Sequence, residues 1–94
     1  QNSTVEEIFI SPNPFRVFNN ESLSIWNLLI GSTVQIITLN GIVLKTFQLN
    51  ENINRIDRWN GYCDNGSYIS SGVYLVVSSH PEDGSRLGKL AVIK

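Results

Sequence analysis

The fold is constrained most by a succession of short segments that have β-strand patterns and almost no helical period. Each segment alternates apolar and polar residues or is rich in β-branched and aromatic residues, and turn-forming residues separate it from the next. The seven predicted strands are residues 5–10, 22–29, 33–39, 42–49, 53–59, 72–79 and 87–93. A chain of 94 residues is long enough for one domain, so residues 1–94 are predicted to form a single all-β, immunoglobulin-like Greek-key β-sandwich.

Turn residues indicate where several of these strands end. Asn40-Gly41 separates the third and fourth predicted strands, and because both residues tolerate positive φ they predict a two-residue hairpin loop. Residues 80–86 predict the turn of a second hairpin between the last two strands. Pro12 and Pro14 cannot donate a backbone hydrogen bond, so the first strand must end before them or the chain must change sheets there.

The strand pattern around Asn40 also predicts which side chains face the core. Alternation places Val34 and Ile36 on one face, and we expect both to be core residues. The same alternation puts Val43 and Phe47 together on one face of the next strand. Both faces of this hairpin contain apolar residues, which suits a sheet packed inside a sandwich.

Composition excludes several classes of function. The net charge is −1 and the seven Lys and Arg residues are scattered among eight acids, so we expect no nucleic-acid partner. No apolar run approaches the roughly 20 residues that a bilayer requires, which excludes membrane insertion. The single Cys63 cannot form an internal disulfide, so the sequence predicts no oxidised framework. Because the seven strands and their turn residues agree with one another, we expect the chain to fold alone as a monomer. The chain begins with Gln1 rather than Met, and we expect it to be an excised or processed piece of a larger protein.

Large aromatic residues allow two interpretations. Trp59 and Tyr74 are predicted core residues, and Tyr74 lies where a tyrosine corner would hydrogen-bond to a nearby backbone oxygen. The alternative is a sugar-binding platform, because flat aromatic faces stack on glycans. That alternative needs at least two of Trp26, Tyr62, Tyr68 and Trp59 to be exposed on one plane.

The segment Asp64-Asn65-Gly66 also allows two interpretations. Together with Asp57 and Asn60 it offers oxygen ligands for a calcium ion, which takes six to eight of them. Two carboxylates make a weak site, however. A turn in which Asp64 bonds its own backbone and Gly66 adopts positive φ explains the same residues, and we favour it.

The sequence predicts no catalytic residues, no metal ligands and no cofactor. His80 is the single histidine, and no Ser, Cys or carboxylate stands in a recognised nucleophile arrangement around it. Cys63 is interpreted as a small apolar packing residue, as lone cysteines in small β domains commonly are. We therefore expect a module that is not an enzyme.

Several motifs, in their order and spacing, closely resemble the FlgD-like immunoglobulin domains of exported bacterial proteins and the related C-terminal sorting domains of the type IX secretion system. The resemblance covers residues 11–94 and rests on SPNPF, STVQIITLNGIVLKT, WNGYCDNG, SSGVYLVV and GKLAVIK. It implies a β-sandwich appended to secreted or cell-surface bacterial proteins. It also implies a role as a sorting signal, an attachment element or a structural spacer.

Three functional classes follow from these observations. The first is a non-catalytic sorting or anchoring module whose partner is the secretion or cell-surface attachment machinery; the others are an ancillary carbohydrate-binding module and a passive interaction or spacer domain. For the first class we expect the last strand to lie at a sheet edge and to accept a partner strand there. The predicted partner-binding residues are Gly88, Lys89, Leu90 and Lys94.

Overall fold

The computed structural model describes residues 8–17, 21–50, 53–82 and 84–93, and within them every regular element is a β-strand. Two sheets contain eight strands, which confirms the predicted all-β class. None of the described residues belongs to a helix able to cross a bilayer. The strands are β1 (Phe9–Ser11), β2 (Phe15–Arg16), β3 (Leu23–Trp26), β4 (Thr33–Ile37), β5 (Val43–Gln48), β6 (Ile56–Trp59), β7 (Gly72–His80) and β8 (Gly84–Ile93).

The two sheets have the strand order of an immunoglobulin-like sandwich. The smaller sheet has the order β1-β3-β6 and the larger has the order β2-β8-β7-β4-β5. All pairs are antiparallel except β2 with β8, which run parallel. β1 and β2 belong to different sheets, so the chain changes sheets at the segment that contains Pro12 and Pro14, as predicted.

The hairpin of β4 and β5 differs from its prediction in one detail of the turn. The backbone N–H of Gly41 donates to the carbonyl of Thr38, so Leu39 and Asn40 are the central residues of the turn. Gly41 follows them with a φ of 93°. The loop therefore has three residues rather than two, and this length commonly ends in a glycine bulge.

A second irregularity lies in β5 itself. The register with β4 shifts between Ile36 and Ile37, so Ile36 lies opposite Lys45 whereas Ile37 lies opposite Val43. Phe47 packs against the core, but Val43 is 46% exposed. The prediction that Val43 and Phe47 share a face is thus wrong, because a bulge inverts the alternation that it rested on.

The hairpin of β7 and β8 is longer than predicted. Its register runs without a shift from Gly72 opposite Val92 to His80 opposite Gly84. Several residues assigned to the turn therefore belong to the ladder, because a long two-stranded ribbon tolerates polar residues where its faces meet water. This hairpin forms the centre of the larger sheet and holds the last strand in place.

The core lies between the two sheets and is closed by aromatic residues from both. Val34 and Ile36 are fully buried, and Trp59 and Tyr74 are almost so. Trp59 belongs to the smaller sheet, yet its ring lies 6.1 Å from the rings of both Phe15 and Phe47, which belong to the larger. One side chain therefore bridges the two layers.

Candidate interaction surface

The last strand, β8, is an interior strand of the larger sheet. β2 pairs with its final residues, with Phe15 opposite Val92. Just before β2, the Asn13 side chain donates to the carbonyl of Lys89 (2.9 Å) and accepts from the N–H of Ala91 (3.0 Å). The expected open edge is therefore wrong for this part of β8, because an amide side chain and a two-residue strand occupy its backbone groups.

The four predicted partner-binding residues have different environments. Leu90 is fully buried. Gly88 faces inward, and a side chain there would lie 3.0 Å from Ile10. Lys89 is exposed and lies opposite Leu75 on the outer face of the sheet. Lys94 lies outside the described residues. Among the described three, Lys89 is the one whose side chain is exposed to solvent.

The opposite edge of the larger sheet, β5, is covered by Asp64. The Asp64 backbone N–H donates to the carbonyl of Leu44, and its carboxylate accepts from the N–H of Thr46 (3.1 Å) and from Lys45 Nζ (3.0 Å). The predicted turn in which Asp64 bonds its own backbone is wrong. Asn65 forms the local turn instead, since its side-chain oxygen accepts from the N–H and hydroxyl of Ser67.

The described residues contain no group of three His, Cys, Asp or Glu side chains placed to hold a metal. The Asp64 carboxylate, which would be central to the calcium interpretation, is committed to Lys45 and Thr46. Hydrogen bonding from Lys45, followed by that from the Thr46 backbone, holds the pKa of Asp64 below its usual value of 3.8. The carboxylate thus remains ionised and keeps the sheet edge covered at neutral pH.

We predict that Asp64→Asn lowers the thermal unfolding midpoint at pH 7, and that the difference from the wild type shrinks as the pH falls. A folded pKa below the unfolded value contributes stability that is present above about pH 4 and is lost as the pH falls through the folded pKa. Midpoints measured between pH 7 and pH 2 test this. Asp57→Asn is the control, because the Asp57 carboxylate forms an exposed ion pair with Arg55 and does not cover a strand edge in the described part of the chain. A constant gap across this range would contradict the edge role of the carboxylate.

The aromatic residues do not form a flat platform. The Trp59 indole N–H donates to the carbonyl of Tyr62 from within the core. Tyr62 and Tyr68 are exposed, but their rings meet at 75° with centroids 5.2 Å apart. Trp26 lies in the smaller sheet and is half-buried. The Tyr74 hydroxyl donates to the carbonyl of Ser70 (2.8 Å), which confirms the predicted tyrosine corner.

The two residues considered for nucleophilic chemistry have structural environments. Cys63 is buried, and its thiol lies 3.8 Å from the carbonyl oxygen of Gly61. Burial raises the pKa of the Cys63 thiol, and the neighbouring Asp64 carboxylate adds to the rise. His80 ends β7, where its Nδ1 accepts from the backbone N–H of Glu82. Neither residue is arranged as an activated nucleophile or its base.

The most prominent exposed feature is the outer face of the larger sheet, which was not predicted from the sequence. One row of paired residues crosses this face from Val43 through Ile37 and Leu75 to Lys89. The next apolar pair along the hairpin is Val77 with Leu87, which is 55% exposed. We define the outer patch as Ile37, Val43, Val73, Leu75, Val77 and Leu87.

Comparison with known proteins gives one informative match. No protein-family profile and no curated protein matches the sequence. Among solved structures, 93% of the chain superimposes on part of PorZ, described as an essential bacterial surface component of the type IX secretion system of Porphyromonas gingivalis, with a TM-score of 0.75 and 28% identity. The matched region is 11% of PorZ. The chain therefore resembles one small domain of a surface component of this secretion system.

Proposed function

We propose that this chain is a sorting or anchoring module of a larger bacterial cell-surface protein, and that it acts through protein contacts with type IX secretion or attachment machinery rather than through catalysis. The match to a domain of PorZ is the observation that supports this most, since it combines the whole fold with 28% identity. The residue motifs that resemble type IX sorting domains agree with it.

The arrangement of the larger sheet supports a role in contact. Asn13 and Asp64 cover backbone groups at its two sides, so uncontrolled pairing with other strands is disfavoured. The outer face of the same sheet includes the apolar outer patch, in which Val43, Val73 and Leu87 are exposed. Recognition through side chains on this face needs neither a pocket nor a cofactor.

The glycan alternative has weaker support. A sugar platform needs aromatic faces that share a plane, whereas Tyr62 and Tyr68 meet edge to face and Trp59 belongs to the core. A passive spacer is the more serious competitor, because it needs only the fold. Export of a fused cargo distinguishes a sorting module from a spacer.

We expect the module, fused to the C-terminus of a periplasm-targeted reporter in a type IX-competent host, to bring the reporter to the cell surface or the medium. The double substitution Lys89→Ala with Lys94→Ala should reduce this delivery while leaving folding intact, because Lys89 is exposed on the outer face. The measurement is reporter activity outside the cell for each fusion.

A matched control removes a positive charge elsewhere. Arg55 precedes β6 in the smaller sheet and pairs with Asp57 in an exposed position, so Arg55→Ala should deliver as well as the intact module. If the intact module delivers no more reporter than a fusion without the module, the sorting proposal fails and the spacer interpretation replaces it.

A further inference from the structure

We propose that the outer patch, together with Lys89 and Arg16, is a docking surface for a protein whose contact face is apolar and has carboxylates opposite these two cations. This deepens the proposed function by assigning the partner a chemistry and a place on the module. Contact would occur face to face with the larger sheet, not by addition of a strand to β8.

The first support is the pattern of the face. An antiparallel sheet with one side in water normally alternates apolar residues inward with polar residues outward. Here β4 has apolar residues on both sides. Val34 and Ile36 point to the core, whereas Ile37, which is paired with β5 on one side and β7 on the other, points outward. Burial of the core does not explain the outward set.

The second support is the extent of the exposed apolar surface. Val43, Val73 and Leu87 are each exposed by 45% or more. They lie on three different strands of one sheet, so they form a continuous surface on the order of a few hundred Å², the size that often marks a functional site. Towards the opposite end, Thr33 lies opposite Ser79 and provides a polar border. An apolar centre with a polar rim is the usual anatomy of a protein interface.

The third support is the charge on the face. The described outward residues of this sheet include two exposed cations, Lys89 on β8 and Arg16 on β2. One carboxylate lies beside them, because Glu21 accepts from the backbone N–H of Arg16 (2.9 Å). The ion pairs formed among the described residues are Lys45 with Asp64 and a pair beside β6, so neither cation is neutralised by one of them. The chain as a whole has a net charge of −1. With the Glu21 carboxylate counted against the two cations, this face has a net charge of +1 (2 − 1), so it is more positive than the molecule and fits a partner with carboxylates.

The same charges disfavour two other occupants. A second copy docked through this face would place two faces of net positive charge against each other. An anionic membrane surface is usually bound by clusters of roughly four to eight Lys and Arg residues, and this face has two in its described part. A folded protein with a mixed apolar and acidic surface fits better than either.

The test is photo-crosslinking from the rim of the patch. Ser85→Cys and Thr46→Cys place a thiol on either side of it, because both residues are exposed on outward positions of β8 and β5. Cys63 is buried with a raised pKa, so a thiol-reactive benzophenone labels the introduced cysteine selectively. Phe9→Cys is the matched control, since Phe9 is 61% exposed on the smaller sheet. The labelled module is irradiated with outer membranes of a type IX-competent bacterium.

We expect one protein adduct from both rim positions and none from the Phe9→Cys control, with a crosslinked segment that contains aliphatic and acidic residues. Unlabelled wild-type module and an unlabelled Arg55→Glu variant should reduce formation of this adduct equally when added as competitors. The double variant Arg16→Glu with Lys89→Glu should need at least roughly tenfold more protein to reduce the adduct to the same extent, since its own carboxylates would then face those of the partner.

Four results would overturn the proposal: no adduct, an equal adduct from the control position, competition unaffected by charge reversal, or an adduct formed only with phospholipid or with a second copy of the module. These outcomes are separate from the reporter assay. Normal delivery of the reporter without a rim adduct removes the docking surface but not the sorting role, whereas a rim adduct without delivery retains the surface and removes the sorting role.

Discussion

Trp59→Ala is expected to lower the free energy of unfolding by about 3–5 kcal/mol, as truncation of large core aromatics does. The indole contacts Phe15 and Phe47 of the opposite sheet, so truncation leaves a cavity between the two layers. It also removes the donor to the carbonyl of Tyr62. Because domains of this size are stable by about 5–15 kcal/mol, this loss is a large share of the total stability. Equilibrium denaturation by urea measures the change.

Phe9→Ala is the control for the loss of an aromatic side chain from a strand. Phe9 is largely exposed on β1, so its removal should change the unfolding free energy by less than about 1 kcal/mol. If Trp59→Ala costs no more than this control, then the indole does not join the two sheets and the sugar-platform interpretation of Trp59 regains support.

Gly61→Ala should also destabilise the fold, by about 2–4 kcal/mol, through two physical causes. Gly61 has a φ of 91°, which L-amino acids with side chains rarely adopt. It is also buried, and an added Cβ would lie 3.2 Å from Val17 and 3.4 Å from both Phe15 and Ile69. Backbone strain and crowding of the core therefore add together at this position.

Gly66→Ala separates these two causes. Gly66 has the same φ of 91°, but an added Cβ would meet only the Tyr62 hydroxyl, at 3.8 Å. The control should lose about 1 kcal/mol from backbone strain alone. The difference between the two unfolding free energies then measures the crowding around Gly61. Equal losses for both variants would mean that the core accommodates the extra methyl group without cost.

Sequence patterns predicted the strands well and their irregularities poorly. The apolar run that became β7 and the Asn40-Gly41 signal were sufficient to predict two hairpins. The three-residue loop and the bulge in β5 were not predictable, because each depends on how two strands fit together rather than on either strand alone. As a result Val43, which alternation places beside Phe47, lies on the opposite face.

The edges and the outer face were the main features that sequence could not predict. β2 has two residues, Phe15 and Arg16, and a segment this short has no measurable period. The role of Asn13 depends on a contact with Lys89, 76 residues away. Alternation also cannot tell whether a second layer covers an apolar face, so the exposure of the outer patch was not predicted. These are the features from which the candidate interaction surface is built.

The parallel pairing of β2 with β8 has a mechanical consequence. The two strands lie near opposite ends of the described chain and are joined by the Val17 N–H to Ile93 carbonyl bond as well as by the two bonds of Asn13. A force that pulls these ends apart acts along the strands in opposite directions. The bonds must then stretch together in shear, whereas a hairpin pulled from its open end unzips one bond at a time. A module with this geometry should therefore resist extension along β2 and β8 more strongly than one held at its ends by a hairpin alone.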